Sequence, residues 1–147
     1  PMPTFRRWAE AQLEEGAWQF TKEEQQLLQN HKLDNPSTLW QQNGWERNTS
    51  ITATLEPIVS RMAAHYLAKE KRKGVTAMDP VAHFHLTNGA KLQRINWLAN
   101  RNEAGLTQSL GVMVNYVYDL NKIDAHHEQY VGSGTIATSR QVRAWLG

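Results

Sequence analysis

The sequence predicts an α+β domain: a mainly helical first half, residues 1–75, then over 76–147 an antiparallel β-hairpin at about 81–97 covered by a following helix and closed by C-terminal helices. Three observations carry this. Apolar residues recur at helical spacing through the first half. An Asn88-Gly89 pair, a strong hairpin-turn signal, sits between two short β-prone runs. A second helical stripe, Leu106, Leu110, Met113, Val114 and Val117, follows the hairpin and extends to about Asp119.

The elements follow in chain order. Pro3 suits a first helical turn, and Phe5, Trp8, Ala9 and Leu13 form one stripe, so residues 3–14 read as a short amphipathic helix ended by Gly16. Thr21 and Glu24 have capping-box spacing ahead of Leu27 and Leu28, marking a helix over about 22–30. Residues 31–50 carry Asn35-Pro36 and Asn43-Gly44 turn signals and read as loop with one helical turn. From Pro57 onward Ile58, Met62, Tyr66 and Lys69 keep helical spacing, and the basic run Lys69 to Lys73 ends at Gly74, read as a left-handed cap. A last helix is expected from about Ser139 to Leu146, anchored by Val142 and Trp145.

Composition narrows the function. At 147 residues the chain is the size of one domain, and 40% hydrophobic with 20% charged residues is a globular composition. Sixteen Lys and Arg against 14 Asp and Glu leave +2, too little for a nucleic-acid-binding field. No cysteine is present, which removes disulfides, thiolate metal sites and a cysteine nucleophile. No apolar run reaches the roughly 18 residues that span a bilayer, and the first residues lack the apolar stretch of a signal peptide. The expected setting is therefore the cytoplasm or an organelle matrix, with no membrane partner. The Asn48-Thr49-Ser50 sequon reads as chance in such a chain.

With Asn88 and Gly89 as the hairpin loop, Ala82, Phe84, Leu86, Ile95 and Trp97 share an apolar face. His83, His85, Arg94 and Asn96 share the other, with Val81 and Leu92 beside them. That polar face is either solvated or part of a site. His83 and His85 at i, i+2 also have a spacing open to metal ligation, though Arg94 beside them repels a divalent cation. Asn115, Tyr116 and Tyr118 are polar-tipped residues that the following helix aims at a cleft, and His126-His127 read as surface histidines.

Three strings now carry a resemblance: DPVAHFHLTNGAKLQRINWLA (Asp79 to Ala99), GLTQSLGVMVNYVYDL (Gly105 to Leu120) and HEQYV (His127 to Val131). Together they resemble the C-terminal part of the malonyl-CoA decarboxylase family. PMPTFRRWAEAQL (Pro1 to Leu13) and YLAKEKRKG (Tyr66 to Gly74) are similar to segments in the same order. The resemblance touches nearly the whole chain and is thinnest over residues 31–55.

The resemblance implies the C-terminal half of an acetyltransferase-like (GNAT) fold turned to decarboxylation of malonyl-CoA to acetyl-CoA and carbon dioxide, a lyase reaction of fatty acid metabolism. It implies no metal and no cofactor beyond the thioester substrate. The family's catalytic acid maps onto His85, with Asn88 and Tyr118 as supporting residues and Arg94, Asn96 and Asn115 as further substrate-binding candidates. His83 receives no role from the resemblance, and Ala104 stands where a basic residue can occur in the family. The family's Ser, which immediately precedes its Pro-x-Pro segment, would fall just ahead of Pro1, and its CoA-pyrophosphate loop lies further upstream. The expected partners are malonyl-CoA and acetyl-CoA, together with a second copy or the remainder of the catalytic domain. Two other readings stand beside this one: a non-catalytic protein-interaction module with open strand edges, and a CoA-dependent acyltransferase of the same fold.

Overall fold

The structure is a computed structural model describing residues 1–72 and 74–147. Lys73, at the end of the predicted basic run, lies outside the described residues. The first half is helical as expected. Helix α1 (Phe5–Glu14) turns Phe5 and Ala9 inward. Helix α2 (Lys22–Gln29) starts on the predicted capping box, with Thr21 Oγ1 accepting from Glu24 N–H and Glu24 Oε1 accepting from Thr21 N–H. The loop region holds α3 (Ser37–Trp40) and a 3-10 turn (Trp45–Arg47).

Helix α4 (Thr49–Ala68) is the hub, with α1, α2, the 3-10 turn and the C-terminal elements packed around it. It begins eight residues before the predicted start at Pro57. Asn48 accepts from Ile51 N–H as its cap, and Ile51, Leu55, Ile58, Met62 and Tyr66 form one buried stripe across the proline. An interior proline costs a helix about 3 kcal/mol, and the burial of that stripe against several elements offsets it. The cap at Gly74 is also corrected. The helix ends at Ala68, and Gly74 takes its positive φ of 72° in the turn joining Lys71 to Ala77, which form an isolated antiparallel bridge.

The predicted hairpin over 81–97 is the main correction. Its first arm is a helix, α5 (Pro80–Thr87), and only the second arm is a strand, β1 (Lys91–Asn96). Asp79 caps α5 by accepting from Ala82 N–H at 2.9 Å, and Pro80 occupies its first turn. At the other end Asn88-Gly89 terminates the helix, with Gly89 at φ 90°. Ala82 and Leu86, four apart, are the buried pair, whereas Phe84 is 62% exposed instead of sharing their face. A Cβ at Gly89 would stand 2.5 Å from the Ile123 carbonyl oxygen. Gly89→Ala should therefore cost about 2 kcal/mol or more through positive φ and overlap, read as a lower urea midpoint.

The partner of β1 is β2 (Met113–Val117), antiparallel, so the predicted helix over 106–119 is also corrected. Only its first part is helical, α6 (Glu103–Ser109), capped by Asn102. Leu110 and Gly111 then take positive φ and turn the chain into the strand. A register shift between Leu92 and Arg94 lets Leu92 and Ile95 both face the core. The outer edge of β1 is covered: Leu92 N–H donates to the Ala137 carbonyl, Ser139 N–H donates to the Leu92 carbonyl, and Gln141 bonds both backbone groups of Ile95. Among the described residues β2 pairs only with β1. Helix α7 (Ile123–Ser133) packs on α5, and α8 (Arg140–Leu146), capped by Ser139, packs on α4 and β1 close to where the sequence places it. No helix among the described residues is long and apolar enough to cross a membrane.

Candidate active site

Asp79, buried to 0% exposure, fixes the site from below. Its Oδ1 accepts from the Tyr66 hydroxyl at 3.1 Å, and Tyr66 Oη lies 2.7 Å from Thr4 Oγ1. The N-terminus of α5 is thus tied to α4 and to the residue preceding α1. Burial raises the Asp79 pKa above the usual carboxyl range, against the opposing effect of its hydrogen bonds from Ala82 and Tyr66.

On this helix His83 and His85 point in different directions, since two residues turn a helix by about 200°. His83 Nδ1 lies 2.7 Å from Tyr130 Oη, which accepts from Ala77 N–H at 2.8 Å. His85 Nδ1 lies 2.7 Å from Tyr118 Oη. The His85 ring stacks on Tyr116, with centroids 4.2 Å apart and planes at 19°, and meets Phe84 edge-on at 5.3 Å. Burial against these rings lowers the His85 pKa.

The other predicted residues lie as follows. Asn88 donates from Nδ2 to the Phe84 carbonyl at 2.8 Å, closing the last turn of α5. Arg94 Nε donates to Asn96 Oδ1 at 2.9 Å, and Asn96 Nδ2 donates to Asn115 Oδ1 at 2.7 Å, forming a chain on the outer face of the sheet. The structure thus joins His85 to Tyr118, and separately joins Arg94, Asn96 and Asn115. The shared face expected for His85 and Arg94 does not form, because His85 is on a helix.

Sequence reasoning missed the roles of Asp79, Tyr130 and the two adjacent histidines. His126 and His127 donate from Nδ1 to the carbonyls of Gly89 and Thr87, fastening α7 to the end of α5. Tyr116, seen in the sequence only as polar-tipped, supplies the ring under His85, and its own buried hydroxyl has no partner among the described residues. Asp79 directly before Pro80 was the available signal, a cap followed by an N1 proline. Among the described residues no cluster of three His, Asp or Glu side chains is gathered for a metal.

These features define an α+β domain with a histidine hydrogen-bonded to one tyrosine and stacked on another. A family model described as malonyl-CoA decarboxylase C-terminal domain matches residues 1–147, and the chain belongs to this family. The chain is 43% identical over 98 residues to the mitochondrial malonyl-CoA decarboxylase of Mus musculus, a match covering 67% of this chain and 20% of that protein. It is 31% identical over 156 residues to that of Anser anser anser, covering 99% of this chain and 31% of that protein. Among solved structures, malonyl-CoA decarboxylase from Rhodopseudomonas palustris aligns at TM-score 0.85 with 33% identity, over 99% of this chain and 31% of that one. The Agrobacterium vitis structure aligns at 0.83 with 32% identity, over 100% of this chain and 34% of that one. The chain therefore spans between a fifth and about a third of the length of these relatives.

Proposed function

We propose that this chain is the acid-bearing part of a malonyl-CoA decarboxylase and that His85 protonates the enolate formed when carbon dioxide leaves. The carrying observation is the His85–Tyr118 pair: Nδ1 is engaged at 2.7 Å while Nε2 has no partner among the described residues. In the proposed reaction the bond between the carboxylate carbon and the α-carbon breaks. Its electron pair delocalises onto the thioester carbonyl, and the α-carbon then takes a proton from His85 Nε2. The thioester is its own electron sink, so the proposed step calls on no cofactor. What the protein must supply is orientation, donors for the enolate oxygen and the proton.

In this reading the charged imidazolium of His85 donates from Nδ1 to Tyr118 Oη, leaving its Nε2 proton free for the α-carbon, and the Tyr116 ring holds the imidazole plane. Tyr118→Phe is expected to lower kcat about tenfold with little change in KM, and to move the pH limb assigned to His85. An unchanged pH profile would leave Tyr118 without this positioning role. Asn88 acts indirectly by closing the helix, and Arg94, Asn96 and Asn115 remain candidates for contacting the thioester's polar groups.

The relatives' greater length supports association with the remainder of a catalytic domain, which the acetyltransferase-like reading of the fold also calls for. Phe84 at 62% exposure, Tyr118 at 41% and Leu120 at 87% border the His85 site, and β2 offers an open edge beside them. The test is turnover of malonyl-CoA by the native protein, with acetyl-CoA and carbon dioxide released in equal amounts. Acyl transfer to an acceptor without carbon dioxide release would support the acyltransferase reading instead.

A further inference from the structure

An open cavity of about 610 Å³ lies between the start of β1, the turn ahead of α7 and the first half of α8. Lys91, Lys122, Arg140 and Arg143 line it, against a single carboxylate, Asp119. None of the four cations forms an ion pair among the described residues; the ion pairs there, Arg6–Glu10 and Arg61–Glu24, lie elsewhere. Asp119 Oδ1 accepts from Asn121 N–H, and Arg143 spends one N–H on the Thr138 carbonyl. The chain as a whole carries only +2, so the excess of three cations here exceeds the charge of the entire molecule.

Like charges gathered in one concavity reinforce each other's potential, and a multiply charged anion relieves that repulsion. Two guanidiniums favour the tetrahedral oxygens of phosphate through paired N–H donors, while two ammonium groups act as mobile point charges. Ile136 and Ala137 give the cavity an apolar wall, which suits an organic ester. A single concave basic site on a chain of only +2 net charge disfavours an extended polyanion.

We propose that this cavity binds the phosphates of a small polyphosphorylated molecule. The shared chemistry is a cluster of phosphoryl oxygens, supplied either by a CoA thioester or by a separate phosphorylated ligand. The inference does not depend on decarboxylase activity, since it rests on charge and shape alone. The cavity also touches the site described above, because His126, which lines it, donates to the Gly89 carbonyl at the end of α5.

The test is calorimetric titration of inorganic tripolyphosphate into the native protein at low ionic strength. Saturable one-to-one binding is expected, weakened at least tenfold in the Lys122→Gln/Arg140→Gln double variant. Both residues are exposed and neither side chain forms an ion pair among the described residues, so folding should survive, as circular dichroism would verify. The control, Arg7→Gln/Lys22→Gln, removes the same charge elsewhere and should change affinity less than twofold. No binding by the unmodified protein, or equal weakening in both variants, would overturn the proposal. Repeating the titration with coenzyme A present separates the sources. Lost tripolyphosphate binding assigns the cavity to a thioester's phosphates, and undiminished binding assigns it to a separate ligand.

Discussion

Replacing His85 by asparagine is expected to lower malonyl-CoA turnover by about two to four orders of magnitude, the usual contribution of a positioned general acid. Asparagine keeps a polar group near Tyr118 Oη but carries no proton that it can yield. The fold should tolerate the change, because His85 is partly exposed and the buried anchors of α5 are Ala82 and Leu86. Activity should fall as pH rises through the His85 pKa, since the acid must be charged to donate. Burial lowers that pKa, so the fall is displaced to the acid side of the ordinary imidazole value of about 6.5. A pH–rate profile flat across this range, or an asparagine variant with near-normal kcat, would remove His85 from the chemistry.

The second large effect concerns Asp79. Asp79→Ala removes a helix cap worth about 1–2 kcal/mol and one of the two partners of the Tyr66 hydroxyl, which keeps Thr4 Oγ1, at a further cost of about 0.5–1.5 kcal/mol. A combined loss of about 1.5–3.5 kcal/mol is expected in urea unfolding. Because the carboxyl's folded pKa is raised, its contribution is fully present below the unfolded value of about 3.9 and declines as pH rises through the folded value. Asp79→Asn keeps an acceptor for Ala82 N–H and should be the milder change, with that decline gone. Should Asp79→Ala leave stability unchanged, the buried network around Tyr66 contributes nothing to holding α5.

The helical half was legible because its signals were local. The capping box at Thr21 and Glu24 and the stripe beginning at Phe5 specify helices without help from the rest of the chain. The error at Asn88-Gly89 arose because the same dipeptide serves two devices, a hairpin turn and a left-handed helix terminus. Ala82 and Leu86 carried the deciding information, since a spacing of four on the buried face belongs to a helix, as did Asp79 ahead of Pro80. The stripe from Leu106 to Val117 misled for a related reason: Leu106 and Leu110 follow helical spacing, but positive φ at Leu110 and Gly111 ends the helix before Met113. Nothing local announces that change in a non-glycine residue. His85 came from the family resemblance rather than from the hairpin geometry that seemed to agree with it. The bond to Tyr118 and the ring of Tyr116 depend on β2 lying against α5, a long-range fact that no short window contains.

Helix α5 is secured at both extremities by different neighbours. Asp79, with Tyr66, holds its beginning to α4, and His126 and His127 from α7 take up the carbonyls at its end. A helix of eight residues would ordinarily fray from its ends, exchanging amide protons there fastest. Here the terminal amides should instead exchange with the helix as a unit, on the timescale at which α7 or α4 detaches. The imidazole of His85 then keeps its place between turnovers without being reordered each time, and its pace of rearrangement is set by two neighbouring helices.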